Sequence, residues 1–118
     1  MSALTIFAIS IVIVLHILFL ILEMFLWNTP YGRKTFALSE DYAKQSAALA
    51  ANQGLYNGFL AAGLLWGLMS TGGYDALIFC LCCIIIAGIY GGITAKRSVL
   101  WLQALPAGIA LSLLIFNT

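Results

Sequence analysis

Charge is scarce in this sequence. Only 8% of its 118 residues are Asp, Glu, Lys or Arg, whereas an average soluble domain has about 25%. A chain this poor in charge cannot coat a soluble globule. Histidine occurs once, at His16, so no cluster of imidazoles is available for a metal site. The cysteines number three and lie together at Cys80, Cys82 and Cys83, which excludes a disulfide framework spread over the chain. No basic run, Gly-rich phosphate loop or nucleophile triad is present, so nothing points to a nucleic-acid partner or to hydrolase chemistry. No catalytic residue, cofactor or metal is assigned from these patterns.

What is there is apolar: 64% hydrophobic residues and a mean hydropathy of +1.08. The first apolar run, Ala3 to Trp27, exceeds the roughly 20 residues a helix needs to cross the hydrocarbon. It has no Lys or Arg before it and is longer than a signal-peptide core, so it is expected to be retained. Three further spans are expected, giving one domain with spans at about 3–27, 47–69, 75–95 and 99–116. Asn28 to Gly32 reads as a turn, with Pro30 and Gly32 as punctuation. Ser39 reads as the cap of a helix starting at Glu40, with Glu40 and Asp41 favourably placed in its first turn. Pro106 predicts a kink in the last span. The fold class expected is therefore an all-α, integral-membrane four-helix bundle.

All five basic residues fall in the first and third connections: Arg33, Lys34 and Lys44, then Lys96 and Arg97. The positive-inside rule then places both termini outside and both basic connections in the cytoplasm; the membrane expected is a bacterial cytoplasmic one.

Polar residues inside the spans are the candidate site. His16 and Glu23 stand two turns apart on one helix face, and an intramembrane carboxylate by default faces protein or a water-filled cavity. Asn52 with Tyr56, and Gln53 with Asn57, form i,i+4 pairs on the second span. Counting rise per residue puts Glu23 about 6 Å inside the cytoplasmic end of its span, and Asn52 and Gln53 about 8 Å inside theirs. Tyr90 and Gln103 lie at a matching level, with His16, Tyr56 and Asn57 in a deeper tier. A polar chamber in the inner half of the bundle is expected, close to Arg33 and Lys34. The bland alternative is that the amides only fix packing and that Glu23 pairs with Arg33 or Lys34. Gly54-x-x-x-Gly58, Gly63-x-x-x-Gly67 and Gly88-x-x-x-Gly92 permit close helix approach, and they offer faces for a homodimer. The Cys80-x-x-Cys83 spacing resembles that of thiol–disulfide enzymes, but inside an apolar run these residues read as small hydrophobes.

Several strings carry a family resemblance. They are His16-x6-Glu23-Met24-Phe25-x-Trp27, Gly32-Arg33-Lys34-x-Phe36, the block from Leu49 through Asn52-Gln53-Gly54-Leu55-Tyr56-Asn57-Gly58 to Gly63, Ala87-Gly88-Ile89-Tyr90-Gly91 and Gln103-Ala104-Leu105-Pro106-Ala107. Together they resemble the small membrane proteins grouped as domain of unknown function 1304. The resemblance implies a four-helix membrane protein and no particular activity. It also implies an acidic residue before the histidine, where this chain has Leu15.

Three functions fit the sequence. The first is a small proton-linked transporter or channel subunit, binding a small polar or cationic solute at Glu23 and His16. The second is a membrane-embedded enzyme or binding protein for a lipid or quinone, with Arg33 and Lys34 holding the head group. The third is a structural or accessory subunit. The lipid bilayer and a second copy of the chain are the expected partners.

Overall fold

A computed structural model of the chain describes residues 1–117. It contains α1 (Ala3–Met24), α2 (Pro30–Phe36), α3 (Glu40–Met69), α4 (Tyr74–Thr94) and α5 (Leu105–Phe116), the last preceded by a π-helical turn at Leu100–Ala104. No strand occurs among the described residues. α1 and α4 are long and apolar enough to cross a membrane. The helical stretch Leu100–Phe116 is apolar but shorter, and α3 does not match the first two in apolarity.

The helix boundaries follow from local chemistry. Ser2 starts α1, its hydroxyl accepting from the Thr5 N–H at 3.2 Å. α1 stops at Met24 rather than at Trp27, because Thr29 pulls the chain round. Its N–H and its hydroxyl both donate to the Leu26 carbonyl, at 3.2 and 2.7 Å. The segment Pro30–Gly32, expected as a turn, is instead the first turn of α2. Thr29 caps it by accepting from the Gly32 N–H at 3.1 Å, and Pro30 fits the first helical position, where an N–H is not needed. α2 ends at Ala37, which adopts a left-handed conformation (φ 54°) while the Leu38 N–H donates to Arg33 O at 2.8 Å. Ser39 then caps α3 as expected, accepting from the Tyr42 N–H at 3.1 Å.

The distortion expected near Pro106 is found in the turn just before it. Leu105 donates its N–H back to Leu100 O, five residues away, which widens the turn. Pro106 has no N–H to offer Leu102, and its ring crowds that carbonyl; a wide turn relieves both problems.

The chain forms two compact units. The first comprises Met1–Leu15 and Leu60–Thr118. Its core is aliphatic: Ile9 and Val12 from α1, Leu64 from α3, Leu77, Leu81 and Ile84 from α4, and Ala107, Ala110 and Leu114 from α5, all fully buried. One polar tie joins its chain ends, the Thr5 hydroxyl donating to Leu113 O at 3.3 Å. Here Gly88 lets the helices close up: a Cβ on it would lie 2.5 Å from the backbone N of Ala104.

The second unit is His16–Phe59, the last turns of α1 with α2 and most of α3. Its interior is built from small residues. Ala43, Ala50 and Gly54 of α3 are buried, as is Gly32 of α2. A Cβ on Gly32 would collide with the Leu26 carbonyl oxygen.

Candidate functional site

The candidate site lies within the second unit, where α1 and α3 approach closely. A Cβ on Gly54 would stand 2.8 Å from Met24 Cγ and 3.0 Å from Glu23 Cβ, and one on Gly58 would stand 2.5 Å from Leu20 Cδ1. Two glycines one turn apart thus remove the side chains that would hold the helices apart. The approach puts the next residue on that face of α3, Asn57, against Glu23. Asn57 Nδ2 donates to Glu23 Oε1 at 2.6 Å. Asn57 is buried and Glu23 half-buried.

This pairing corrects the expected alignment. Glu23 had been placed level with Asn52 and Gln53, with Asn57 a tier deeper beside His16. Glu23 is instead opposite Asn57, about one helical turn further along α3. The cause is the earlier end of α1, at Met24, together with the seating of Leu20 and Met24 on the two glycines.

The remaining residues are distributed more widely. His16 is 1% exposed, on the face of α1 it shares with Glu23, and its ring meets Phe19 edge-on at a centroid distance of 5.2 Å. Asn52, Gln53 and Tyr56 lie on the exposed surface of α3. Gln53, one turn before Asn57, flanks the Glu23–Asn57 pair, whereas Asn52 and Tyr56 point to the opposite side of the helix. Tyr90, 69% exposed, and half-buried Gln103 belong to the first unit. Two shallow surface grooves, one along Phe7–Leu15 and one along Ala104–Leu113, contain none of the candidate residues.

Arg33 and Lys34 differ from each other. Arg33 Nη1 donates to the backbone oxygen of Asn28 at 3.1 Å and to its Oδ1 at 3.2 Å, so it braces the turn between α1 and α2. Lys34 is exposed on α2. A clasp that sequence reasoning missed holds this corner together. The Trp27 indole Nε1 donates to Ser46 Oγ at 3.0 Å, and its ring lies 4.8 Å from that of Phe36. In the sequence Trp27 reads only as the end of the first apolar run. The Thr29-Pro30 pair signals the start of α2 and was readable, but nothing in the sequence points to Ser46.

The chemistry available here is that of a carboxyl held by a neutral amide. Asn57 orients the carboxyl through one oxygen and leaves the second for a proton or another donor. No group of three or more His, Cys, Asp or Glu side chains with metal-site geometry occurs among the described residues.

These features define an all-helical protein with two helices suited to crossing a membrane and a carboxyl–amide pair between α1 and α3. The chain belongs to the family described as Protein of unknown function (DUF1304), which matches it over residues 10–115. No curated protein and no solved structure matches it.

Proposed function

We propose that this protein is a small proton-linked transporter or channel subunit of the cytoplasmic membrane, with Glu23 as its exchangeable group. The observation that carries this reading is the 2.6 Å contact of Glu23 with Asn57. A carboxyl set among close-packed helices and held through one oxygen by a neutral donor has its second oxygen open to a proton or a small cationic solute. Such a solute, for example a primary ammonium, would take over the place of the Asn57 amide. His16 lies two turns further along the same face and is the second candidate for proton exchange.

In this reading the chain crosses the membrane four times through α1, α3, α4 and the Leu100–Phe116 helix. Both termini are outside, and Arg33, Lys34, Lys44, Lys96 and Arg97 lie on the cytoplasmic side. The test is flux in liposomes carrying the purified protein. Methylammonium uptake driven by a pH gradient is expected for the native chain and is lost in Glu23→Gln. Equal uptake by the two would overturn the reading.

A second reading is supported by Tyr31 and Lys34, both exposed and three residues apart on α2, the helix whose Phe36 ring meets Trp27. Trp27 and Tyr31 suit the membrane interface, and Lys34 is free to meet a lipid or quinone head group. A specific lipid or quinone retained by the native chain and released by Lys34→Glu would favour it over transport.

A further inference from the structure

α3 carries two opposite seams. Ala43, Ala50, Gly54 and Asn57 form the inner seam, all buried. Tyr42, Gln45, Leu49, Asn52, Tyr56 and Phe59 form the outer one, at spacings that alternate between three and four residues. All six are exposed, Leu49 at 75% and Phe59 at 59%. A three–four alternation is the period with which one helix lines up along another in a two-stranded seam. The inner seam is already used within the chain, because Gly54 and Gly58 are filled by Leu20, Glu23 and Met24. The glycine faces first expected to join two copies are therefore spent on internal packing, and the outer seam remains uncovered.

The chemistry of the outer seam selects what covers it. Tyr56 and Phe59, with ring centroids 6.0 Å apart, form an aromatic ridge, but Gln45 and Asn52 interrupt the apolar line. Hydrocarbon offers an amide neither donor nor acceptor, so lipid covers Asn52 poorly. An Asn amide both donates and accepts, so it complements its own copy across a two-fold axis. Copies inserted the same way round are related by an axis along the membrane normal, which runs the two helices parallel and brings equivalent seam residues together.

We infer that the outer seam of α3 is covered by α3 of a second copy of this chain, running parallel, with Asn52 of each copy hydrogen-bonded to Asn52 of the other. The Glu23–Asn57 pair then lies on the far side of α3 from the interface, so each protomer keeps its own complete pair. The inference rests on the proposed passage of α3 through the membrane and is independent of whether the protein transports anything.

Disulfide trapping in carbonate-washed membranes tests it, using the full chain with Cys80, Cys82 and Cys83 changed to Ser. Leu49→Cys, Asn52→Cys and Tyr56→Cys are expected to give disulfide-linked dimers on oxidation, and Ala51→Cys and Leu55→Cys to give none. In cysteine-free membranes, Asn52→Ala is expected to weaken dimerisation about tenfold, the effect of losing one interhelical amide pair. If carbonate strips the protein from the membrane, the passage of α3 fails and the dimer fails with it. If the protein stays but forms no dimer, forms dimers without the three–four period, or links instead through Gly108→Cys on α5, the α3 interface is overturned and the membrane reading stands.

Discussion

The two units of this chain are held together by different means. In the first, Ile9, Leu64, Leu77, Leu81, Ile84 and Leu114 are fully buried and interlock as an aliphatic core. In the second, no large aliphatic side chain is fully buried. Gly54 and Gly58 bring α1 and α3 together, and directed bonds complete the packing: Asn57 to Glu23, Trp27 to Ser46, Arg33 to Asn28. An aliphatic core tolerates imprecise placement and rewards volume. A contact between small residues fixes the distance between two backbones, and that precision is what a carboxyl–amide pair requires. The difference suggests a division of labour, with the first unit supplying bulk stability and the second holding one polar group in a fixed place.

Three experiments sharpen or break that contrast, taken from the largest expected effect to the smallest. Leu81→Ala should open a cavity in the first unit and cost about 2–4 kcal/mol, read by unfolding in mixed micelles. It should leave methylammonium flux per folded molecule unchanged; if flux fell with stability intact, the division between the units would be wrong. Asn57→Leu removes the donor from Glu23 and should cost about 1–3 kcal/mol, because a half-buried carboxyl loses its partner. Adding Glu23→Leu should restore part of that loss, and a simply additive double mutant would mean that the pair does not couple. The third change is a gain. Ala37 holds a left-handed φ of 54° at the end of α2, and Ala37→Gly should stabilise the protein by about 0.5–1 kcal/mol by relieving it. No gain in the unfolding midpoint would show that this corner already accommodates the conformation without strain.

Much of the fold was legible in the sequence. The run of Ile, Leu and Val from Ala3 onward, without Pro or Gly, could only be a long apolar helix. Ser39 with Glu40 and Asp41 marked the start of α3 because hydroxyl capping and the helix dipole act within a single turn. The Thr29-Pro30 pair marks α2 by the same local logic, but Pro30 and Gly32 punctuate turns as readily as they start helices, so the sequence pattern alone reads as a turn. The end of α1 was misplaced by three residues. Phe25 and Trp27 continue the apolar run, and only the bonds of Thr29 to Leu26 end the helix.

The site was half legible. Glu23 and Asn57 were both singled out, since an acid and an amide in apolar helices are costly without partners. Their pairing was not foreseen, because depth along two helices depends on where each begins and on how one slides against the other. Asn52 and Tyr56 were placed in the same chamber and instead lie on the exposed side of α3. An i,i+4 stripe identifies a face without saying what that face meets.

The sequence by itself determined that this is an all-helical, apolar chain and which few polar residues break its apolar runs; of the four spans it led us to expect, α1 and α4 are long and apolar enough to cross a membrane. These properties depend on composition and on interactions within one or two turns. Only the tertiary structure decided which of those residues meet. The register of α1 on α3 is set by Leu20 and Met24 seating on Gly58 and Gly54, a contact between residues thirty or more positions apart, about which local periodicity carries no information.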